Sequence, residues 1–262
     1  MDILVCVKQV PGTTHVEVDP VTGILKRDGA PGKLNPYDLF AVELALQLRA
    51  ETGGTVTTLS MGPPQAREAL LETVYMGADR GVLASDRRFA GADVLSTAHT
   101  LACAIKKIGH FDLIICGKQT TDGDTAQVGA ELAELLDLVH SGNVLAVRDI
   151  SMSGLTADIS LDKYICTQRM PLPCVLGTDA EVNTPRLPSY KRKKQVLAEC
   201  VTTLCLDDFD DRDELHFGSS GSATRVERIF PPEKNSDKEL FEGDDDALAT
   251  KIAQMLKTKK FI

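Results

Sequence analysis

The feature that most constrains this chain is the alternation, over its first 140 residues, of short apolar runs with segments of helix length. Residues 3–7, 55–60, 81–84 and 112–116 are the length of strands and apolar enough to be buried on both faces. Helical spacing fills the intervals, from Pro36 to about Ala50, over 64–76 and over 93–108, and returns at 124–138. Pro36 suits a first helical turn. Leu39, Val42 and Leu46 line one side of that helix and Phe40, Leu44 and Leu48 another, so it is wedged between layers. Strands separated by helices imply βαβ units. The expected fold class is therefore α/β, a Rossmann-like doubly wound parallel sheet in three layers.

The rhythm changes after residue 140. Leu155, Ala157, Ile159 and Leu161 alternate with polar residues behind a Ser153-Gly154 turn, which predicts an antiparallel hairpin with 144–150. Residues 171–177 can return as a strand. From Pro185 the regular pattern is lost. Lys191, Arg192, Lys193 and Lys194 are followed by six acids over 207–214, and a last amphipathic helix carries Leu248, Ile252 and Met255. These changes divide the chain into an α/β domain over 1–184 and an extended C-terminal arm over 185–262, which is expected to lie on a partner.

Composition removes several classes. A net charge of −9 argues against nucleic-acid binding, and the absence of Trp with only 5% aromatics leaves no base-stacking platform. No run of about 18 apolar residues exists to span a membrane. The opening has no basic leader or cleavage site, so a cytoplasmic location is expected. Seven cysteines without a Cys-x-x-Cys pair read as buried thiols in a reducing compartment. His15, His99, His110, His140 and His216 have neither metal spacing nor a paired carboxylate, so surface or helix-end positions are expected. No nucleophile elbow appears, so any chemistry falls to a cofactor, and no catalytic side chain is assigned.

The richest stretch runs from Gly117 through Lys118, Gln119, Thr120, Thr121, Asp122, Gly123, Asp124, Thr125, Ala126, Gln127 and Val128 to Gly129. It leaves a buried strand at its carboxyl end and opens a helix, where free N–H groups and the helix dipole attract phosphate. Gly123 allows close backbone approach, Thr125 offers a hydroxyl, and Gln127 can donate or accept. The same residues also suit a plain capped loop with Asp124 as N-cap. Asn35-Pro36-Tyr37-Asp38 can hold an adenine or ribose or cap its helix, and Met61-Gly62-Pro63-Pro64 closes another strand in the same relative position. Three loops on one sheet edge favour a cleft.

Eight ordered segments resemble the beta subunit of an electron transfer flavoprotein. They are 3–11, 19–23 with 27–29, 35–38 with 41–43, 61–64, 76–79, 86–87 with 91–93, 122–129, and Asn183-x-Pro185-Arg186. The 122–127 loop, with Lys8-Gln9-Val10-Pro11, is similar to the electron-bifurcating type, whereas housekeeping members carry an Asp-rich loop and a structural AMP. The resemblance implies an FAD against Cys6, Asn35, Asp38, Met61 and 122–129, with NAD(H) beside Val10, Pro11, Gly62 and Pro63. It implies that NADH delivers a hydride there, one electron passing to ferredoxin and the other, through the alpha subunit, to a flavin-dependent dehydrogenase of acyl-CoA, enoyl-CoA or lactate type. By the same resemblance the arm packs on the alpha subunit. Leu187 is the expected anchor of a dehydrogenase-recognition loop, here a few residues shorter than the family pattern. Lys191, Arg192, Lys193 and Lys194 form its docking patch.

Overall fold

A computed structural model of the chain describes residues 1–12, 17–18, 25–26, 32–195, 198–227 and 239–262. His15 and the motif segments 19–23 and 27–29 lie outside the described residues. The elements begin with β1 (Asp2–Cys6), β2 (Gln9–Pro11), β3 (Glu17–Val18), β4 (Leu25–Lys26), β5 (Gly32–Leu34) and α1 (Pro36–Thr52). They continue through β6 (Thr55–Met61), α2 (Arg67–Met76), β7 (Arg80–Ala84), α3 (Val94–Ile108), β8 (Leu113–Gly117) and α4 (Val128–Leu136). Then follow β9 (Val139–Ser151), β10 (Gly154–Leu161), β11 (Tyr164–Met170), β12 (Cys174–Thr178), α5 (Tyr190–Gln195), β13 (Val201–Leu204) and α6 (Asp245–Thr258).

Nine strands form one sheet in the order β11-β10-β9-β12-β8-β1-β6-β7-β13. The pairs from β9 through β13 are parallel, and β10 runs antiparallel to both β9 and β11. Strand side chains alternate between faces. Ile3 and Val5 join the core beneath α1 and α2, whereas Leu4 and Cys6 join the core beneath α3 and α4. Ile115 and Cys116 of β8 divide in the same way. These two cores give the three layers read from the sequence. Chain order reverses beside β1, with β6 and β7 on one flank and β8 and β12 on the other. A crevice outside the carboxyl ends of β1 and β8 is where such a sheet gathers ligands.

The 144–150 hairpin forms as expected, with Ala157 opposite Val147, and β11 extends it by a further strand. Two features depart from the sequence reading. Helix α4 begins at Val128, not at Asp124. The first compact unit runs Met1–Glu227, past the expected division at 184/185, and the second is Arg228–Ile262. The segment after residue 185 contributes β13 beside β7 and buries Leu206, Phe209 and Phe217 completely. Phe209 stacks on Phe89 at 5.7 Å between ring centres, so these aromatics hold the segment to the sheet domain. Within the second unit, α6 is capped by Asp244, whose carboxylate accepts the Ala247 N–H, and none of its residues is buried. Among the described residues no helix is long and apolar enough to cross a membrane.

Candidate functional site

Strand β1 ends in a buried polar knot. The Lys8 N–H donates to Asp38 Oδ2 at 2.7 Å, and the Asn35 amide donates to Asp38 Oδ1 at 2.9 Å and to the Gln119 carbonyl at 2.8 Å. Asn35 Oδ1 accepts the Thr121 N–H at 3.2 Å. Asn35 makes no side-chain cap bond to α1, so its work is to tie the start of α1 to the loop after β8. This replaces the simple capping reading. Burial pushes the Asp38 carboxyl up to about 7, opposed by the Asn35 amide and the Lys8 N–H, which favour the anion. Gly117 is required beside it. A Cβ there would meet the Tyr37 carbonyl carbon at 2.8 Å and the Asp38 nitrogen at 3.0 Å, as well as Asp38 Oδ1.

The loop over 121–127 is exposed and, besides the Thr121 bond to Asn35, two side-chain pairs hold it. Lys8 Nζ donates to Asp122 Oδ1 at 2.8 Å, and Gln119 Nε2 donates to Asp124 Oδ1 at 2.6 Å. Burial works against the Asp122 anion, but Lys8 outweighs it and holds the carboxyl below the usual range. Asp124 and Ala126 adopt φ of 53° and 56°, left-handed backbone that costs an Ala roughly 1–2 kcal/mol. Asp124 is therefore not the N-cap. Gln127 occupies that position and makes no side-chain cap bond, which leaves the first N–H groups of α4 without a cap among the described residues.

The start of α4 contributes Gly129 and Ala130 to a cleft of about 250 Å³ that is also lined by Cys116, Gly117, Lys118, Ala126, His140, Gly142, Asn143 and Gly177. Burial holds the His140 imidazole below its usual pKa, favouring a neutral ring in the cleft wall. This corrects the surface or helix-end position expected for His140, which lies in β9. Lys118 is fixed by Asp179 Oδ2 at 2.8 Å. Cys6 lies opposite Cys116 in the β1–β8 register, and its thiol is raised well above the usual value by a hydrogen bond with Cys116 and by burial. It packs as a neutral thiol.

The other expected residues fall into two groups. Val10 is buried in β2, Pro11 is exposed, and Gln9 Nε2 reaches the Gln65 carbonyl at 3.0 Å, so the Val10-Pro11 strand is tied to the Met61-Gly62-Pro63 loop. Gly62 N–H donates to the Ala84 carbonyl at 3.0 Å, placing that loop at the ends of β6 and β7. Thr125 is exposed on the 121–127 loop. Away from the cleft, Leu187 is 87% exposed. Arg192 is held by the Val74 and Ala78 carbonyls, and Lys193 and Lys194 lie over the Tyr75 and Tyr190 rings. That leaves Lys191 as the most open cation of the expected patch. Gln119 and Thr121 fall inside the 117–129 stretch picked out by the sequence without a role of their own, whereas Lys8 and His140 are site residues that spacing alone does not single out. The one available signal was for Lys8, which follows the central strand at its carboxyl end.

The pattern described as the electron transfer flavoprotein domain matches residues 22–203. The electron transfer flavoprotein subunit beta of Clostridium acetobutylicum is 39% identical over the full length of both chains. The chain belongs to the electron transfer flavoprotein beta-subunit family. The CarD subunit of the caffeyl-CoA reductase-Etf complex of Acetobacterium woodii is also 39% identical to this beta subunit, again over the full length of both. Protein FixA of Azorhizobium caulinodans is 38% identical over 91% of this chain and 87% of its own. Beta subunits of this family pair with an alpha subunit in electron transfer.

The residues present fit a nucleotide. A Cβ at Gly177 would reach 3.3 Å from Gly142 Cα, and one at Gly129 would reach 3.4 Å from His140 Nε2, so side chains there would fill the cradle that these glycines leave. Uncapped helix N–H groups on one side and glycine backbone on the other suit a phosphate and its sugar.

Proposed function

We propose that this beta subunit binds FAD at the edge formed by β1, β8 and the start of α4 and passes electrons within a bifurcating complex. The observation that carries the reading is the uncapped α4 N-terminus opening on the glycine-lined cleft. Asn35 and Asp38 hold the sheet edge, Asp122, Gly123 and Thr125 lie on the exposed loop that leads into α4, and Gly129 lines the cleft. The bound flavin would supply hydride and single-electron chemistry. The chain's own contribution is to position it, with the Lys8–Asp122 pair setting the loop and neutral His140 forming the wall.

NAD(H) is assigned to the Val10, Pro11, Gly62 and Pro63 side, supported by the Gln9–Gln65 tie that joins those loops. Ferredoxin and a flavin-dependent dehydrogenase are the proposed partners beyond the alpha subunit, with exposed Leu187 and Lys191 as docking residues. The likeness to CarD supports a reductase partner. An intracellular, reducing site of action is supported by seven cysteines that are all free.

One observation favours a second reading. A cleft of about 250 Å³ is small beside ordinary ligand pockets of about 300–1,000 Å³ and suits a mononucleotide such as AMP. Counting cofactors in the purified alpha–beta complex after reconstitution with excess FAD separates the two. Two FAD per complex, with rapid bleaching by NADH in stopped flow, is the expected result. One FAD with one AMP, and no direct reaction with NADH, would establish the carrier reading instead.

A further inference from the structure

Helix α3 presents His99 and Cys103 four residues apart, hence on one face. The chain beyond β13 is fastened over that helix by buried Phe209 and Phe217, and it carries Asp211 and His216. The rings of His99 and Phe217 lie 5.1 Å apart. Asp211 Oδ2 sits 3.0 Å from His99 Nε2 and 2.8 Å from His216 Nδ1. Cys103 Sγ lies 3.6 Å from the same His99 nitrogen. A carboxylate is therefore shared between two imidazoles, contrary to the unpaired histidines expected from the sequence. None of these side chains lines the nucleotide cleft.

We propose that His99 Nε2, Cys103 Sγ and an Asp211 carboxylate oxygen form a binding site for a divalent transition cation of the zinc class. The three donor atoms lie within 4.8 Å of one another. Around a tetrahedral zinc-sized ion, bond lengths of about 2.0–2.1 Å to nitrogen and about 2.3 Å to sulfur separate N from S by about 3.5 Å and N from O by about 3.3 Å. The observed 3.6 and 3.0 Å lie within a few tenths of an ångström of those edges. The two edges that meet at His99 are thus already at coordination spacing, and the Cys103–Asp211 edge, at most 4.8 Å, closes around the ion.

Donor chemistry selects the ion. Magnesium and calcium take oxygen ligands, whereas an imidazole–thiol–carboxylate set suits zinc and its neighbours in the transition series. His216 Nδ1 holds Asp211 from outside the triad, the kind of supporting hydrogen bond that orients a metal-binding carboxylate. His99 and Asp211 keep 27% and 29% of their side-chain surface exposed, which provides an entry path and room for water as fourth ligand. Binding would release the Cys103 thiol proton to solvent and shift the His99 ring proton from Nε2, where it bridges to Asp211, to Nδ1, freeing Nε2, the thiolate and the carboxylate for the cation. The consequence is a clamp between α3 and the 206–217 segment, two pieces of chain more than 100 residues apart.

The test uses the purified complex, stripped with a chelator and titrated with zinc chloride and, separately, cobalt chloride. One zinc per beta subunit and a thiolate-to-cobalt charge-transfer absorption are expected. Cys103→Ser should abolish that absorption and weaken zinc at least about tenfold, whereas Cys166→Ser, at an exposed cysteine on β11, should change neither. Should Cys103→Ser fail to fold, His99→Gln takes its place, with the same loss of affinity expected. Absence of a stoichiometric zinc site, or zinc binding that both α3 variants leave intact, overturns the proposal and leaves Asp211 as a hydrogen-bond acceptor for two imidazoles.

Discussion

The Arg186 guanidinium grips Glu43 through both carboxylate oxygens, Nε to Oε2 at 2.7 Å and Nη2 to Oε1 at 2.9 Å, across 143 residues of chain. The Arg186 backbone N–H adds a third bond to Oε2 at 3.1 Å. Glu43 is buried on α1, and burial alone would raise its pKa, yet the bonds from Arg186 hold it below the usual value. Arg186→Ala leaves a buried carboxylate with Gln47 as its one side-chain partner among the described residues. We expect a loss of about 2–3 kcal/mol, discounted from a fully buried pair because Arg186 is half exposed. Urea unfolding of the variant checks this, and a loss below about 0.5 kcal/mol, ordinary for a surface position, would contradict it.

Much of the fold was legible because strands buried on both faces must be apolar throughout. Residues 3–7 and 112–116 announce themselves in that way, and helices of known length separate them. The misplaced start of α4 has a definite cause. Asp is a favoured N-cap, but Asp124 adopts left-handed backbone and its carboxylate accepts from Gln119 Nε2 rather than from an α4 N–H. Strand β13 was invisible because Thr202 and Thr203 are exposed at the sheet edge and only Val201 buries. β11 was missed for a related reason, since Tyr164 and Ile165 point an apolar surface outward. The loop residues proposed for the site stood out by type. Their mutual bonds, such as Asn35 to Gln119, join positions 84 residues apart and carry no local signal.

Gly117→Ala tests the close approach of β8 to α1. The added methyl would meet the backbone of Tyr37 and Asp38, at 2.8 and 3.0 Å, and neither is the free end of a flexible side chain. Overpacking of this kind costs about 1–3 kcal/mol. A lowered melting temperature is expected, together with weaker nucleotide retention as the Asn35 contacts shift. An unchanged melting temperature would show that the edge is more plastic than its geometry implies.

Asp38 predicts a pH dependence. Its folded-state value of about 7 lies above an ordinary 3.8, so between those values the folded chain holds a proton that the unfolded chain has released. Stability is therefore greatest at the acid end of that window and falls as pH rises through it, with a slope approaching 1.4 kcal/mol per unit, then levels off. Asp38→Asn removes the titration. The stability of the native chain relative to the variant should thus shrink between about pH 5 and about pH 7. A difference that stays constant across that range would contradict the assignment.

The Lys8–Asp122 pair separates stability from binding. Both side chains are partly exposed, 42% and 29%, and a pair in that setting contributes about 0–1 kcal/mol to folding. Asp122→Ala and Lys8→Met should each leave the melting temperature nearly unchanged. They release the loop that leads into α4, so, on the proposed FAD reading, the beta-subunit cofactor should dissociate more readily while an alpha-subunit flavin stays in place. Flavin release on gel filtration, measured at two salt concentrations, reads this directly. The native complex should lose cofactor faster at high salt as the pair is screened, and the variants should have lost that salt dependence. Equal loss of flavin from both subunits would instead assign Asp122 to the scaffold.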